Sequence, residues 1–157
     1  MKKITDFLSL VEEKKLVELI HNAEQETTGE IRLHVEMKCP GDPLARAQAI
    51  FVKLGMHQTE RQNGILIYIA FGDHKAAVYG DQGIASKVVK TFWDDELERL
   101  LSHFKEGSYF IGIQQIITEI SSELKVLFPL IGSAAESNSK ANPDELSNEI
   151  SRGMEDA

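Results

Sequence analysis

The chain reads as an α/β protein, a three-layer α/β/α sandwich with a small mixed central sheet. That sheet combines a parallel β-α-β crossover with an antiparallel hairpin, and helices follow at the C-terminal end. Three observations predict this. Residues 65–71, Ile-Leu-Ile-Tyr-Ile-Ala-Phe, are apolar without a break, the pattern of a strand covered on both faces. Residues 30–37 alternate, with Ile31, Leu33, Val35 and Met37 on one face and Glu30, Arg32, His34 and Glu36 on the other. Segments of helical period precede, separate and follow these two strands.

The elements follow in order. Ser9 and Glu12 form a capping box, Leu16, Leu19, Ile20 and Ala23 recur at helical spacing, and Gly29 supplies a stop. The alternating strand from Glu30 to Met37 is expected to be half-buried and near a sheet edge. Asp42 and Pro43 are an N-cap and first-turn pair for a helix with Ala47, Ile50, Phe51 and Leu54 inward, ending at Gly55. After the central strand, Gly72 and Asp73 turn the chain and Lys75 to Tyr79 returns antiparallel. The sequence Gly80-Asp81-Gln82-Gly83 then leads into a helical turn over Ile84 to Val89. An amphipathic helix follows, with Trp93, Leu97, Leu100, Leu101 and Phe104 inward and Gly107 at its end. The last long helix carries Phe110, Ile113, Ile117, Ile120, Leu124 and Leu127 and is closed by Pro129. Its seam spans fewer than about three heptads, too short for a coiled coil, so it is assigned to the core.

Two domains are expected: a folded α/β domain over residues 1–130 and an acidic, disordered tail over 131–157. From Pro129 onward, Lys140 and Arg152 face six acidic residues in a Ser-, Asn- and Ala-rich setting, with a short helix over Asp144 to Ile150 as a further expectation. A chain of 157 residues, 42% hydrophobic and 27% charged, suits one core. The formal charge of −8 would repel nucleic acid and anionic membranes. Glu12, Glu13, Lys14 and Lys15 interrupt the N-terminal apolar residues, so no export signal is expected. No window reaches the roughly 18 consecutive apolar residues of a membrane span. A cytoplasmic location and no membrane insertion are the resulting expectations. Cys39 is the only cysteine, which excludes an internal disulfide and any multi-cysteine zinc site, and it is read as an inert thiol.

Topology concentrates the chemistry. If the first two strands are parallel and the third returns, then Glu30, Asn63, Gly64, Gly80 and Asp81 meet at one edge of the sheet. Two carboxylates, a carboxamide oxygen and backbone carbonyls form a hard-oxygen set suited to calcium or magnesium rather than zinc or copper. Gly64, Gly80 and Gly83 would shape the loops around it. The competing structural reading makes Asp81 a helix cap, Asn63 and Gly64 a tight turn, and Glu30 a solvated strand end. At the opposite edge Glu36, Asp73 and His74 form a second pole, with Asp73 and His74 read as turn residues. His21, His57 and His103 show no metal-binding spacing, and the nucleophile-elbow, phosphate-loop, dinucleotide and EF-hand patterns are absent.

Several motifs together carry a resemblance. Thr28-Gly29-Glu30-Ile31, Arg61-Gln62-Asn63-Gly64-Ile65-Leu66-Ile67, Asp73-His74-Lys75, Gly80-Asp81-Gln82-Gly83-Ile84 and Phe104-Lys105-Glu106-Gly107-Ser108-Tyr109 with Gly112 resemble the TPM domain over roughly residues 5 to 130. That family is named for a thylakoid lumen protein, a photosystem II repair factor and a nematode receptor modulator. The resemblance implies a three-layer α/β/α domain with an acidic metal site. By position Glu30, Asn63, Asp81 and, more weakly, Asp73 are its candidate ligands, with Gly80 and Gly83 shaping the loop. It also implies calcium binding and acid phosphatase activity of the kind reported for a plant member, or roles in complex repair and receptor assembly. The chain looks like the short soluble bacterial type, without the export signal and membrane helix of many relatives. Two functions are therefore expected: a calcium- or magnesium-binding module for interaction or assembly with another protein, or a metal-dependent phosphatase-like hydrolase of phosphomonoesters.

Overall fold

The computed structural model describes residues 2–130 and 149–153. A short helix, α1 (Ile4–Phe7), precedes α2 (Leu10–Glu24). The Ser9 side chain accepts from the Glu12 amide and the Glu12 carboxylate accepts from the Ser9 amide, so the capping box forms. Helix α2 ends at Glu24, short of Gly29. Gly29 has a different role: a Cβ there would stand 3.0 Å from the Leu124 methyls, so the missing side chain admits a neighbouring helix. Strand β1 (Glu30–Glu36) leads through α3 (Pro43–Lys53) and a 3₁₀ turn (Met56–Gln58) to β2 (Gly64–Ala70), and β3 (Lys75–Gly80) returns beside it. The helical turn after the hairpin, α4 (Gln82–Ala85), begins two residues earlier than the sequence suggested because Asp81 caps it. Helices α5 (Lys90–Lys105) and α6 (Tyr109–Leu127) complete the helical part.

The sheet has the order β3-β2-β1-β4. Strands β1 and β2 are parallel with Glu30 opposite Gly64, and β2 and β3 antiparallel with Ile65 opposite Gly80. Its two faces bury different cores. On one, Ile31, Leu33, Val35, Ile65, Ile67 and Ile69 pack against Leu16 and Ile20 of α2, Leu100 and Phe104 of α5, and the Ile113–Leu124 stripe of α6. On the other, Leu66, Tyr68, Ala70 and Ala77 pack beneath Ala47, Ile50 and Phe51 of α3 and Met56. The expected three-layer α/β/α arrangement is therefore present.

Two further features differ from the sequence reading. Strand β1 is not a half-solvated edge. It lies inside the sheet, and Glu30, His34 and Glu36 on its polar face are buried. Strand β1 has an outer neighbour because part of the segment expected to be an acidic, disordered tail forms β4 (Ser151–Arg152), which pairs parallel with β1, placing Ser151 opposite His34 and Arg152 opposite Val35; residues 131–148 and 154–157 lie outside the described residues. Ile150 joins the main core. Glu149 and Ile150 are not helical, and the rest of the short helix expected over Asp144 to Ile150 lies outside the described residues.

Thr27 ties the end of α6 to the start of β1. Its hydroxyl bonds to the Phe128 carbonyl at 2.6 Å and lies 3.1 Å from that of Leu124, while its oxygen accepts from the Gly29 amide at 3.1 Å. Thr27→Val keeps the shape, leaves the buried Gly29 amide without its acceptor and removes the hydroxyl bond to the Phe128 carbonyl, which keeps the Thr28 amide as a donor. The substitution is expected to cost about 1–3 kcal/mol, measurable as a lower urea midpoint with an unchanged slope.

Candidate functional site

The anticipated meeting of residues occurs at the edge where β1 and β2 begin and β3 ends. The Glu30 amide donates to the Asn63 carbonyl at 3.2 Å, and the Asp81 amide donates to the Gly64 carbonyl at 3.0 Å. Glu30 and Gly64 thus stand side by side on β1 and β2, with Asp81 just past the end of β3 on the other side of Gly64, and strand alternation directs Glu30 to the face covered by α3. Neither is solvated: Glu30 is 1% and Asp81 9% exposed. Asn63 is also buried, and its amide nitrogen donates to the Thr28 carbonyl at 3.0 Å, clamping the entry to β1. Asp73 is not brought to this group. It sits in the exposed hairpin turn at the opposite end of the sheet, where its Oδ2 accepts from the Cys39 amide at 2.8 Å.

Asp81 does two things at once. Its Oδ1 accepts from the Gln82 amide at 2.8 Å, capping α4. Its Oδ2 is buried and has no hydrogen-bond partner among the described residues, and the same is true of the Thr59 hydroxyl on the loop ahead of β2. A buried, unsatisfied carboxylate oxygen is costly, so one oxygen of Asp81 is explained by the cap and the other is not. The glycines shape this edge through lack of bulk rather than through unusual backbone angles, since neither Gly80 nor Gly83 has positive φ. A Cβ on Gly83 would stand 2.6 Å from the Gln62 carbonyl oxygen and 2.7 Å from that of Arg61. At Gly80 it would meet an Ile84 methyl at 2.7 Å, whereas Gly64 has room.

The groups brought together at this edge are carboxylates, a carboxamide and backbone carbonyls, oxygens that fit a hard cation and not zinc. The set is lightly charged. Among the described residues no three His, Cys, Asp or Glu side chains converge, so any cation here would rely on Glu30 and Asp81 with neutral oxygens.

A second polar cluster, on the same face of β1 but near its other end, was not assembled from the sequence. Glu36 is fully buried and accepts a two-pronged contact from Arg46 of α3, with Nε to Oε2 and Nη2 to Oε1 both at 3.0 Å. The Tyr68 hydroxyl donates to Glu36 Oε2. His34 Nε2 lies 3.3 Å from Glu36 Oε1, and its Nδ1 lies 2.9 Å from Ser151 Oγ. Burial by itself would raise the Glu36 carboxyl, but the hydrogen bonds from Arg46, Tyr68 and His34 outweigh it and hold the carboxyl below its usual range. Burial pushes the His34 imidazole below its ordinary value, with Arg46 and Arg32 adding to the effect and Glu36 partly opposing it. The neutral ring therefore donates from Nε2 to the Glu36 carboxylate and accepts at Nδ1 from the Ser151 hydroxyl. Burial, with Cys39 and Glu36 nearby, pushes the Tyr68 phenol up.

A hydroxyl, an imidazole and a carboxylate in series are also the groups of nucleophilic hydrolases. Here they join β4 to the sheet, with Ser151 in ladder register, and their effect is to anchor that strand. The signal available in the sequence was the unbroken polar face Glu30, Arg32, His34, Glu36. The pattern alone leaves that face toward solvent, because neither Arg46 nor Ser151 is near it in the chain.

The remaining candidates fall where default readings put them. His21, His57 and His74 are exposed, and His103 bonds to Gln115 at 2.7 Å. Cys39 is buried, with its sulfur 3.7 Å from the Gly41 carbonyl oxygen.

A three-layer α/β/α domain with an oxygen-rich, carboxylate-flanked sheet edge is the class that this fold and edge define. The TPM domain family model matches residues 2–123, and the chain belongs to that family. Its fold is similar to that of the BA42 protein from the psychrophilic bacterium Bizionia argentinensis, solved by NMR. The two are 38% identical, the alignment covers 98% of this chain and 100% of that one, and the TM-score is 0.82. More distant likenesses concern the fold alone. The N-terminal domain of a P. gingivalis protein is 14% identical over 78% of this chain and 79% of that one, with a TM-score of 0.66. The N-terminal domain of the cg2496 protein from Corynebacterium glutamicum is 11% identical over 73% and 70%, with a TM-score of 0.51. No curated protein matches the chain. Among the described residues no helix is long and apolar enough to cross a membrane.

Proposed function

We propose that the protein binds a divalent cation, calcium or magnesium, at the edge formed by Glu30, Asn63 and Asp81, and uses the loaded edge as a protein-interaction or assembly module. The observation that carries this reading is Asp81 Oδ2, a buried carboxylate oxygen with no hydrogen-bond partner beside a second buried carboxylate. A hard cation would satisfy it, offset the repulsion between Asp81 and Glu30, and draw on the Thr59 hydroxyl and loop carbonyls. When bound, the cation would supply positive charge to attract an acidic or phosphorylated surface. Glu30 and Asp81 would hold it, Asn63 would keep the strand entry in place, and Gly83 would hold Gln62 against the Asp81 loop. Asp73 takes no part in this edge.

The test is a titration with calcium, then magnesium, followed through backbone amide shifts. Movement is expected at Glu30, Thr59, Asn63 and Gly80 to Gly83, and Asp81→Asn should weaken binding by about tenfold or more, since it removes one of two charged donors. No movement at millimolar metal would sink the proposal.

Metal-dependent hydrolysis of phosphomonoesters is the second reading, favoured by the same unsatisfied oxygens, because a cation held there would also polarise a phosphate and its attacking water. Phosphate release by the loaded wild type that disappears in Asp81→Asn is the result expected of an enzyme. A module binds metal and releases none.

A further inference from the structure

The edge of β1 is selective at each position of the segment that occupies it. Ile150 is 8% exposed and belongs to the main core. Ser151 bonds to His34 Nδ1, whose tautomer is set by Glu36. Arg152 pairs with Glu13 of α2, across the sheet face opposite the Ser151 contact. The Gly153 amide donates to the Val35 carbonyl at 2.8 Å. No larger residue fits there, since a Cβ would stand 2.0 Å from Glu36 Oε1 and 2.9 Å from His34 Nε2. An apolar residue, a hydroxyl, a cation and a glycine are thus each met by a matching group. This is the logic of β-strand addition, in which the ladder supplies affinity and side-chain contacts supply specificity.

We propose that this edge is a peptide-recognition site that accepts the Ile150–Gly153 segment of a second copy of the chain, so that two copies associate by exchanging their C-terminal strands. All of the contacts lie between residues 150–153 and the folded body, and none depends on which chain supplies the segment. Eighteen residues, 131–148, separate it from the residues after α6. Their contour of about 60 Å exceeds the roughly 37 Å diameter of a sphere with the radius of gyration expected of a body this size, so the segment can reach its own edge or a neighbour's. Exchange conserves every contact and changes only the connectivity. The chain's own segment is favoured at low concentration, because the linker presents it at an effective concentration in the millimolar range.

Full-length Glu13→Arg and Arg152→Glu chains test this, separately and mixed, in EDTA so that the metal reading plays no part. Each variant alone sets like charges together whether the strand docks at home or on an identical copy. In the mixture both exchanged sites regain an opposite-charge pair. At about 0.5 mM total protein, comparable to the effective concentration, sedimentation velocity should show a dimer fraction in the mixture about tenfold or more above that of either variant alone. Gly153→Val in both chains should abolish it. A mixture no more dimeric than its components overturns the proposal, as does a dimer that survives Gly153→Val.

Discussion

Glu36→Ala is expected to cost the fold about 3 kcal/mol, because removing one partner of a buried charge cluster leaves the others unpaired. Arg46 can turn toward water, since its side chain is 39% exposed, but Tyr68 and His34 cannot. Out of a typical total stability of about 5–15 kcal/mol, that is a large share, and urea unfolding would measure it directly. The cluster also predicts the direction of the pH response. The Glu36 carboxyl titrates lower in the folded chain than in the unfolded one, so its contribution is present above about pH 4.3 and is lost as pH falls through the folded value. The His34 imidazole is likewise lowered, so the unfolded chain takes up its proton first and stability begins to fall below about pH 6.5. Both effects act the same way: acid destabilises. Glu36→Gln should remove the lower of the two steps and keep the upper one. A variant whose stability follows the wild-type curve below about pH 4.3 would rule out Glu36 as its source.

Gly83→Ala is the second large effect, with an expected cost near the upper end of the roughly 1–3 kcal/mol range for overpacking. The new methyl would press on two backbone carbonyls, those of Arg61 and Gln62, which move only by shifting the loop. The Gly83 amide also donates to the Gln62 carbonyl at 2.8 Å, so displacing the loop breaks a bond as well as creating a clash. At Gly80 the obstruction is the Ile84 side chain, which can rotate, and alanine should be milder there. Gly83→Ala should lower both the urea midpoint and any metal-induced shifts at Asn63 and Asp81. Asp81→Asn should reduce the metal response while keeping stability near wild type, because an asparagine still caps α4. Equal loss of stability in the two variants would mean that the Asp81 carboxylate itself holds the fold together, since asparagine keeps the cap.

Much of the architecture was legible because it rests on local patterns. The apolar run 65–71 declared a strand covered on both faces, and Gly64–Ala70 is that strand. The capping box at Ser9 and the Asp42-Pro43 pair started helices where expected. Parallel and antiparallel pairing followed from the order of the elements, and pairing brought Glu30, Gly64 and Asp81 to one edge. Helix ends were less legible: α2 stops before Gly29 because that glycine serves packing against Leu124. The first helical turn, Ile4–Phe7, was missed, since a single turn carries too little periodicity to read.

By itself the sequence determined the layer order, the faces of its helices and the convergence of the acidic edge, all consequences of side-chain periodicity and short connections. Only the tertiary structure decided the environment of the polar face of β1. Alternation says that Glu30, Arg32, His34 and Glu36 share a side, but not what lies opposite them. Arg46 arrives from a helix ten residues beyond Glu36 and Ser151 from a strand 117 residues beyond His34. A strand's own pattern cannot distinguish a solvated polar face from a buried one whose partners come from elsewhere, because burial is a property of neighbours and their positions are set by the fold.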